Sequence, residues 1–114
     1  MQPLTVKDIA WLAGLYEGEG WFGGAISKGV RYKKPYWYPC IRIVSTDQDI
    51  MKRVSILIDR PVNGPYMAKK STKPYWQVTT VCSRAIGLAM MLYPLLGNRR
   101  QARVRELISK WKEN

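Results

Sequence analysis

The sequence predicts a single α+β domain in which helices and β-hairpins alternate in the order α-β-β-α-β-β-α-α. Three observations support this prediction. Two Thr residues, each followed three positions later by Asp, open segments with helical spacing. Two pairs of short β-type segments surround loops rich in lysine and proline. No linker or low-complexity tract divides residues 1–114, so we expect one domain.

The first half of the chain predicts a helix followed by a hairpin. Thr5 and Asp8 have capping-box spacing, and the helix that they open is expected to end near Gly18. Residues 21–28 and 36–45 then read as two strands around a basic loop. Pro39 would be placed at a bulge or an edge.

The second helix repeats the capping-box spacing. Thr46 and Asp49 would open it, and it would end at the Arg-Pro pair at 60–61. One apolar stripe runs along it, formed by Ile50, Met51, Val54, Leu57 and Ile58.

A second hairpin and two helices complete the prediction. Residues 63–65 form a turn, and 66–70 and 75–81 form two strands. Ser83 is expected to cap a third helix, which ends before Pro94. A last helix begins at Asn98.

Composition restricts the function. The 19 Lys and Arg residues exceed the 8 Asp and Glu residues by 11, which favours a polyanionic partner such as nucleic acid. No apolar run reaches the roughly 18 residues of a spanning helix, and no signal-peptide pattern is present, so a soluble intracellular protein is expected. Histidine is absent, which excludes imidazole catalysis. Cys40 and Cys82 are expected to be reduced, buried thiols.

The segment Leu12–Gly20, LAGLYEGEG, places two acids at the end of a helix of small and apolar residues. A helix C-terminus carries partial negative charge, so the site favours a cation. Ala10, Gly14 and Gly18 recur every four residues, which leaves a strip where a second helix could approach.

This segment resembles the defining motif of the LAGLIDADG homing endonucleases, matching seven of nine positions in residue or charge. Tyr16 replaces an aliphatic residue, Gly18 replaces alanine, and both acids are glutamate. The predicted element order also matches one domain of that family. The resemblance implies an antiparallel β-saddle for DNA and Mg²⁺-dependent (or Mn²⁺-dependent) hydrolysis of both strands at a long target. Genes of this family are often mobile and carried in introns.

The resemblance also implies roles for named residues. One motif per chain implies a homodimer and a near-palindromic target. Glu19 would bind the metal, and the Gly18 carbonyl would serve the partner's metal site. The implied dimer contacts are Ala10, Gly14, Glu17 and Gly18, although a structural role for Glu17 is favoured.

Ser45 and Asn98 align with the residues that order water in the family. Asn98 lacks the usual positive charge, so Arg99 or Arg100 would have to supply it. This departure leaves open an inactive relative that acts as an RNA-splicing maturase or a DNA-binding regulator. A basic structural module, the third alternative, would leave the motif unexplained.

Period-2 alternation assigns the strand faces. If Ile41, Ile43, Trp76 and Val78 are core, the opposite face presents Tyr38, Cys40, Arg42, Tyr75, Gln77 and Thr79. Arg42 and Gln77 are the strongest candidates for base reading, whereas Cys40 there conflicts with a buried thiol.

Basic residues at the hairpin ends are expected to hold phosphates, with ordinary surface charge as the alternative: Lys28, Arg31, Lys33, Lys34, Lys69, Lys70 and Lys73. The same two interpretations apply to the basic face of the last helix, formed by Arg99, Arg100, Arg103, Arg105, Lys110 and Lys112. Trp21, Trp37 and Trp111 are expected in the core.

Overall fold

Four α-helices and four strands follow one another in the predicted order within the part of the chain that the computed structural model describes, residues 3–28, 34–70 and 72–113. The elements are α1 (Val6–Glu19), β1 (Gly20–Ser27), β2 (Tyr36–Ser45), α2 (Gln48–Ile58), β3 (Asn63–Tyr66), β4 (Tyr75–Val81), α3 (Cys82–Leu92), a 3₁₀ turn (Tyr93–Leu95) and α4 (Asn98–Glu113). Arg31 and Lys33, predicted to contact phosphates, lie outside the described residues.

The four strands form one antiparallel sheet in the order β1-β2-β4-β3. Burial alternates along β2: Ile41 and Ile43 are buried in the core with Val78, whereas Arg42 and Val44 are exposed on the opposite face. The helices therefore cover one face of the sheet and leave the other open, as predicted. Pro39 lies in the part of β2 that pairs only with β1, which confirms the predicted edge position.

The ends of α1 follow from local chemistry. Thr5 and Asp8 form the predicted capping box, with the Asp8 N–H donating to Thr5 Oγ1 over 3.1 Å. The helix ends at Glu19, which agrees with the predicted end near Gly18, and the Gly20 N–H donates to the Tyr16 carbonyl. A Cβ at Gly20 would lie 2.6 Å from that carbonyl oxygen, so only glycine fits where the chain turns into β1.

The predicted caps of α2 and α3 were both wrong. Asp47, not Thr46, caps α2, because the Asp47 carboxylate accepts hydrogen bonds from the N–H groups of Asp49 and Ile50. No side chain caps α3, which begins at Cys82 before the predicted cap Ser83.

The predicted turn at 63–65 is part of strand β3, whereas residues 67–70 are not in a strand. Asn63 pairs with Gln77 and Tyr66 with Tyr75, with a register shift between the two pairs. Gly64 and Pro65 are tolerated there because β3 is an edge strand.

None of the helices in the described ranges is long and apolar enough to cross a membrane. The core joins all four helices to the sheet through Leu12, Met51, Leu88, Val104 and Phe22. Trp37 and Trp76 are partly buried against this core.

Tyr16, the aromatic departure within the motif, is fully buried, and its hydroxyl has no hydrogen-bond partner among the described residues. Burial raises the pKa of Tyr16, because the phenolate would be desolvated. An unsatisfied buried hydroxyl costs roughly 1–3 kcal/mol. We therefore expect Tyr16→Phe to raise the free energy of unfolding by about 1 kcal/mol, measured by urea denaturation. Loss of stability in this variant would show that the hydroxyl is satisfied.

Candidate nucleic-acid interface and acidic site

The two motif acids have different surroundings. Glu17 Oε1 accepts a 2.8 Å hydrogen bond from the Gly97 N–H, and Glu17 Oε2 lies 3.6 Å from Arg100 Nε. Glu19, two residues later, is exposed and makes no hydrogen bond or ion pair with any residue that the structure describes. Glu17 therefore connects the end of α1 to the start of α4, whereas the Glu19 carboxylate is exposed.

Arg100 strengthens the connection between the two helices. Its Nε and a terminal nitrogen donate to the Glu17 carbonyl over 3.3 and 3.2 Å, which satisfies one of the carbonyls left unpaired at the end of α1. Its guanidinium carbon also lies 5.3 Å from the centroid of the Phe22 ring. The orientation of the α1 terminus, where Glu19 lies, thus depends on Arg100.

Arg100→Met should lower the free energy of unfolding by about 2 kcal/mol, because a group in a charged hydrogen bond contributes roughly 1.5–3 kcal/mol. Urea denaturation measures the loss. Arg99→Met is the matched control, since Arg99 is exposed and should change stability by less than about 0.5 kcal/mol. Equal stabilities for the two variants would contradict the role assigned to Arg100.

Other residues on the basic face of α4 are also held by internal contacts. Arg103 Nε donates to the Phe22 carbonyl over 2.9 Å, and Arg105 donates to the Tyr93 hydroxyl over 2.6 Å. Lys110 lies over the Trp37 ring. This face is therefore largely structural. Asn98 and Arg99, the residues aligned with the water-ordering position, are exposed at the start of α4.

The small-residue strip on α1 faces open space. Ala10, Gly14 and Gly18 are all exposed. A Cβ built on Gly14 or Gly18 would meet no atom within 4 Å in the described parts of the chain. The opposite side of the helix is buried through Leu12, Ala13 and Tyr16. No contact within the described parts of the subunit thus requires these glycines.

The acidic site fits half of a metal centre. Residues within the described ranges form no group of three or more His, Cys, Asp or Glu able to hold a metal ion. Glu19 offers a free carboxylate, which is the oxygen donor that Mg²⁺ prefers. One carboxylate does not complete a coordination shell, so a metal ion here would need further oxygen ligands.

Ser45 lies at the same end of the sheet as Glu19, because Gly20 pairs with Ile43, two residues before Ser45. Its hydroxyl accepts from the Asp47 N–H over 2.9 Å. Ser45 thus helps to begin α2, and the structure records no contact between Ser45 and Glu19.

The open face of the sheet carries the predicted base-reading residues. Arg42 is exposed, and Tyr38, Tyr75, Gln77 and Thr79 are half-buried there. The exposed lysines Lys28 and Lys34 flank the β1–β2 loop, and Lys69, Lys70 and Lys73 are exposed beyond β3.

Trp21 was wrongly placed in the core. It pairs with Arg42, is 47% exposed on the open face, and lies with its ring centroid 5.2 Å from the guanidinium carbon. Adjacent strand residues point to opposite faces, so burial of Phe22 places Trp21 outward. Trp111, also predicted as core, is only half-buried.

Cys40 belongs to the open face but is only 3% exposed. The predicted strand face and the predicted buried thiol are therefore both correct. Burial raises the pKa of Cys40, and the neighbouring Arg42 opposes that rise. The sequence could not predict that Cys40 is buried on the open face, because this burial depends on side chains of neighbouring strands.

Comparison with known proteins supports the fold. No protein-family model and no curated protein sequence matches the chain. Among solved structures, the homing endonuclease I-CvuI, crystallised with the I-CreI target and Mg, has a TM-score of 0.73 at 17% identity, covering 95% of this chain and 69% of that one. I-CeuI, an intron-encoded homing endonuclease complexed with DNA, has a TM-score of 0.70 at 12% identity, covering 98% and 57%.

The LAGLIDADG homing endonuclease I-LtrWI, bound to target DNA, has a TM-score of 0.70 at 16% identity, covering 98% of this chain and 38% of that one. The chain therefore has the LAGLIDADG endonuclease fold, with the antiparallel sheet that the sequence predicted.

Proposed function

We propose that this chain is one subunit of a homodimeric, site-specific DNA endonuclease that depends on Mg²⁺ or Mn²⁺. It would hydrolyse both strands of a long, near-palindromic double-stranded target. The carrying observation is the unpaired Glu19 carboxylate beside a glycine strip that faces open space. The DNA complexes of structures with the same fold support this choice of substrate.

A second copy of α1 packed on the Ala10–Gly14–Gly18 strip would place two Glu19 carboxylates near the two-fold axis. Like charges this close repel, and divalent cations between them remove the repulsion. The Gly18 carbonyl of each subunit would add an oxygen ligand. A bound cation supplies Lewis-acid polarisation of the scissile phosphate and a lowered pKa for attacking water, which histidine cannot supply here.

The open sheet face would follow the major groove. Arg42, Gln77, Tyr38, Tyr75 and Thr79 would face base edges, because their side chains share that face. The hairpin-end residues Lys28, Arg31, Lys33, Lys34, Lys69 and Lys70 would contact phosphates, and the net charge of +11 supports this binding.

A binding function without cleavage is the second candidate, as an RNA-splicing maturase or a DNA-binding regulator. The observation that favours it is the commitment of Arg100 to the Glu17 carbonyl, next to the uncharged Asn98. Only the exposed Arg99 then remains to supply the positive charge at this position.

The test is incubation of the protein with a randomised duplex library and Mg²⁺ or Mn²⁺, followed by sequencing of the cut ends. We expect staggered cuts at one near-palindromic sequence and none when EDTA is present. Sedimentation with the selected duplex should give two subunits per DNA. Selective binding without nicking in either metal would favour the second candidate, and one subunit per cut duplex would reject the dimer.

A further inference from the structure

A row of three side chains crosses the open face near the acidic site. Trp21 pairs with Arg42, and Arg42 pairs with Thr79, so the three lie side by side on β1, β2 and β4. Trp21 follows Glu19 by only two residues. Of the paired rows on this face that include a β1 residue, this one is nearest to the end of α1.

The neighbouring row contains Gly23, Cys40 and Val81. A Cβ at Gly23 would collide with the six-membered ring of Trp21, so the indole lies over the space that a side chain would occupy. Cys40 is buried in this row although it faces the open side. The row therefore has no exposed, strong hydrogen-bond donor, and the indole is held against it.

The Trp21 indole limits the number of rotamers that Arg42 can adopt. An exposed arginine samples many rotamers, and ordering them on binding weakens affinity. The aromatic face attracts the guanidinium, and Arg42 also interacts with the Cys40 side chain in the neighbouring row. Arg42 is thus prealigned above the sheet before any ligand arrives.

We propose that Trp21 is a positioning residue that holds Arg42 for bidentate reading of a guanine, once per half-site and close to the centre of the target. This inference rests on the proposed function, since it requires DNA on the open face. Guanine is selected because its O6 and N7 acceptors match the two parallel donors of arginine. The base pair above the Gly23–Cys40–Val81 row should tolerate substitution.

The test is a binding selection from randomised duplexes in Ca²⁺, with sequencing of the bound fraction. It compares the wild-type chain with Arg42→Ala, Trp21→Leu and Trp21→Phe. The wild type should prefer guanine at one pair per half-site by about 10-fold to 100-fold, the range of a good bidentate contact. Arg42→Ala should abolish this preference at that pair alone.

Trp21→Leu should lower the same preference about fivefold, and Trp21→Phe should restore most of it, because phenylalanine keeps an aromatic face. An unchanged preference in Trp21→Leu, or an equal loss at all pairs, would overturn the inference and leave the proposed function standing. A wild-type chain that selects no sequence would reject both.

Nuclear magnetic resonance of the DNA-free protein gives a second test. The side-chain protons of Arg42 should show ring-current shifts in the wild type that disappear in Trp21→Leu. Random-coil shifts for Arg42 in the folded wild type would overturn the prealignment, whatever the variants do.

Discussion

Glu19→Gln should reduce DNA cleavage in Mg²⁺ by roughly 10³-fold or more, a loss at or above that seen when one transition-state-stabilising group is removed. The amide keeps the shape of the side chain but removes the negative charge that would attract a divalent cation. Glu19 makes no contact that stabilises the described structure, so thermal unfolding should not change. Single-turnover cleavage of the selected duplex measures the effect.

Duplex binding in Ca²⁺ should stay within about threefold of wild type, because phosphate contacts by lysine and arginine dominate affinity. Glu17→Gln is the matched control. It weakens the contact with Arg100 and should mainly reduce stability. Cleavage by Glu19→Gln at the wild-type rate would remove this residue from the metal site.

Gly14→Leu should weaken dimerisation strongly without unfolding the subunit. A leucine side chain in a close helix contact costs about 1–3 kcal/mol by overpacking. A two-fold symmetric dimer contains the leucine in both subunits and therefore has this cost twice. Association should weaken by roughly 30-fold to 10⁴-fold. Cleavage should fall with it, while the isolated subunit gains about 0.5–1 kcal/mol of stability from replacing a helical glycine.

Gly87→Leu is the matched control for Gly14→Leu. Gly87 lies in α3, is exposed, and likewise has no atom of the described residues within 4 Å of its missing Cβ. This variant should sediment and cut like the wild type. If Gly14→Leu also sediments as a dimer and cuts normally, the strip on α1 is not the interface.

The sequence predicted those features that depend on local chemistry. The Thr5 capping box and the bounds of β2 and β4 were correct, because they follow from side chains within a few residues. The cap of α2 was misplaced by one residue, since Thr46 and Asp47 are both good caps and only the path of the chain selects one.

The missed features depend on contacts between distant segments. Trp21 faces outward because Phe22 takes the core side, but the sequence does not say which of two adjacent aromatics is buried. The bond from Arg100 to the Glu17 carbonyl joins residues 83 positions apart. The sequence could not distinguish Arg99 from Arg100, because both carry the same charge. In the structure Arg100 bonds to Glu17, whereas Arg99 is exposed.

The hydrogen bond from Arg103 to Phe22 affects how copies of the protein can associate. β1 is an outer strand, and an uncovered strand edge invites another chain to extend the sheet, which leads to open-ended aggregation. The Arg103 guanidinium donates a hydrogen bond to the Phe22 carbonyl of β1 and places a positive charge beside this strand. Extension of the sheet through β1 is therefore discouraged, as the closed homodimer proposed above requires.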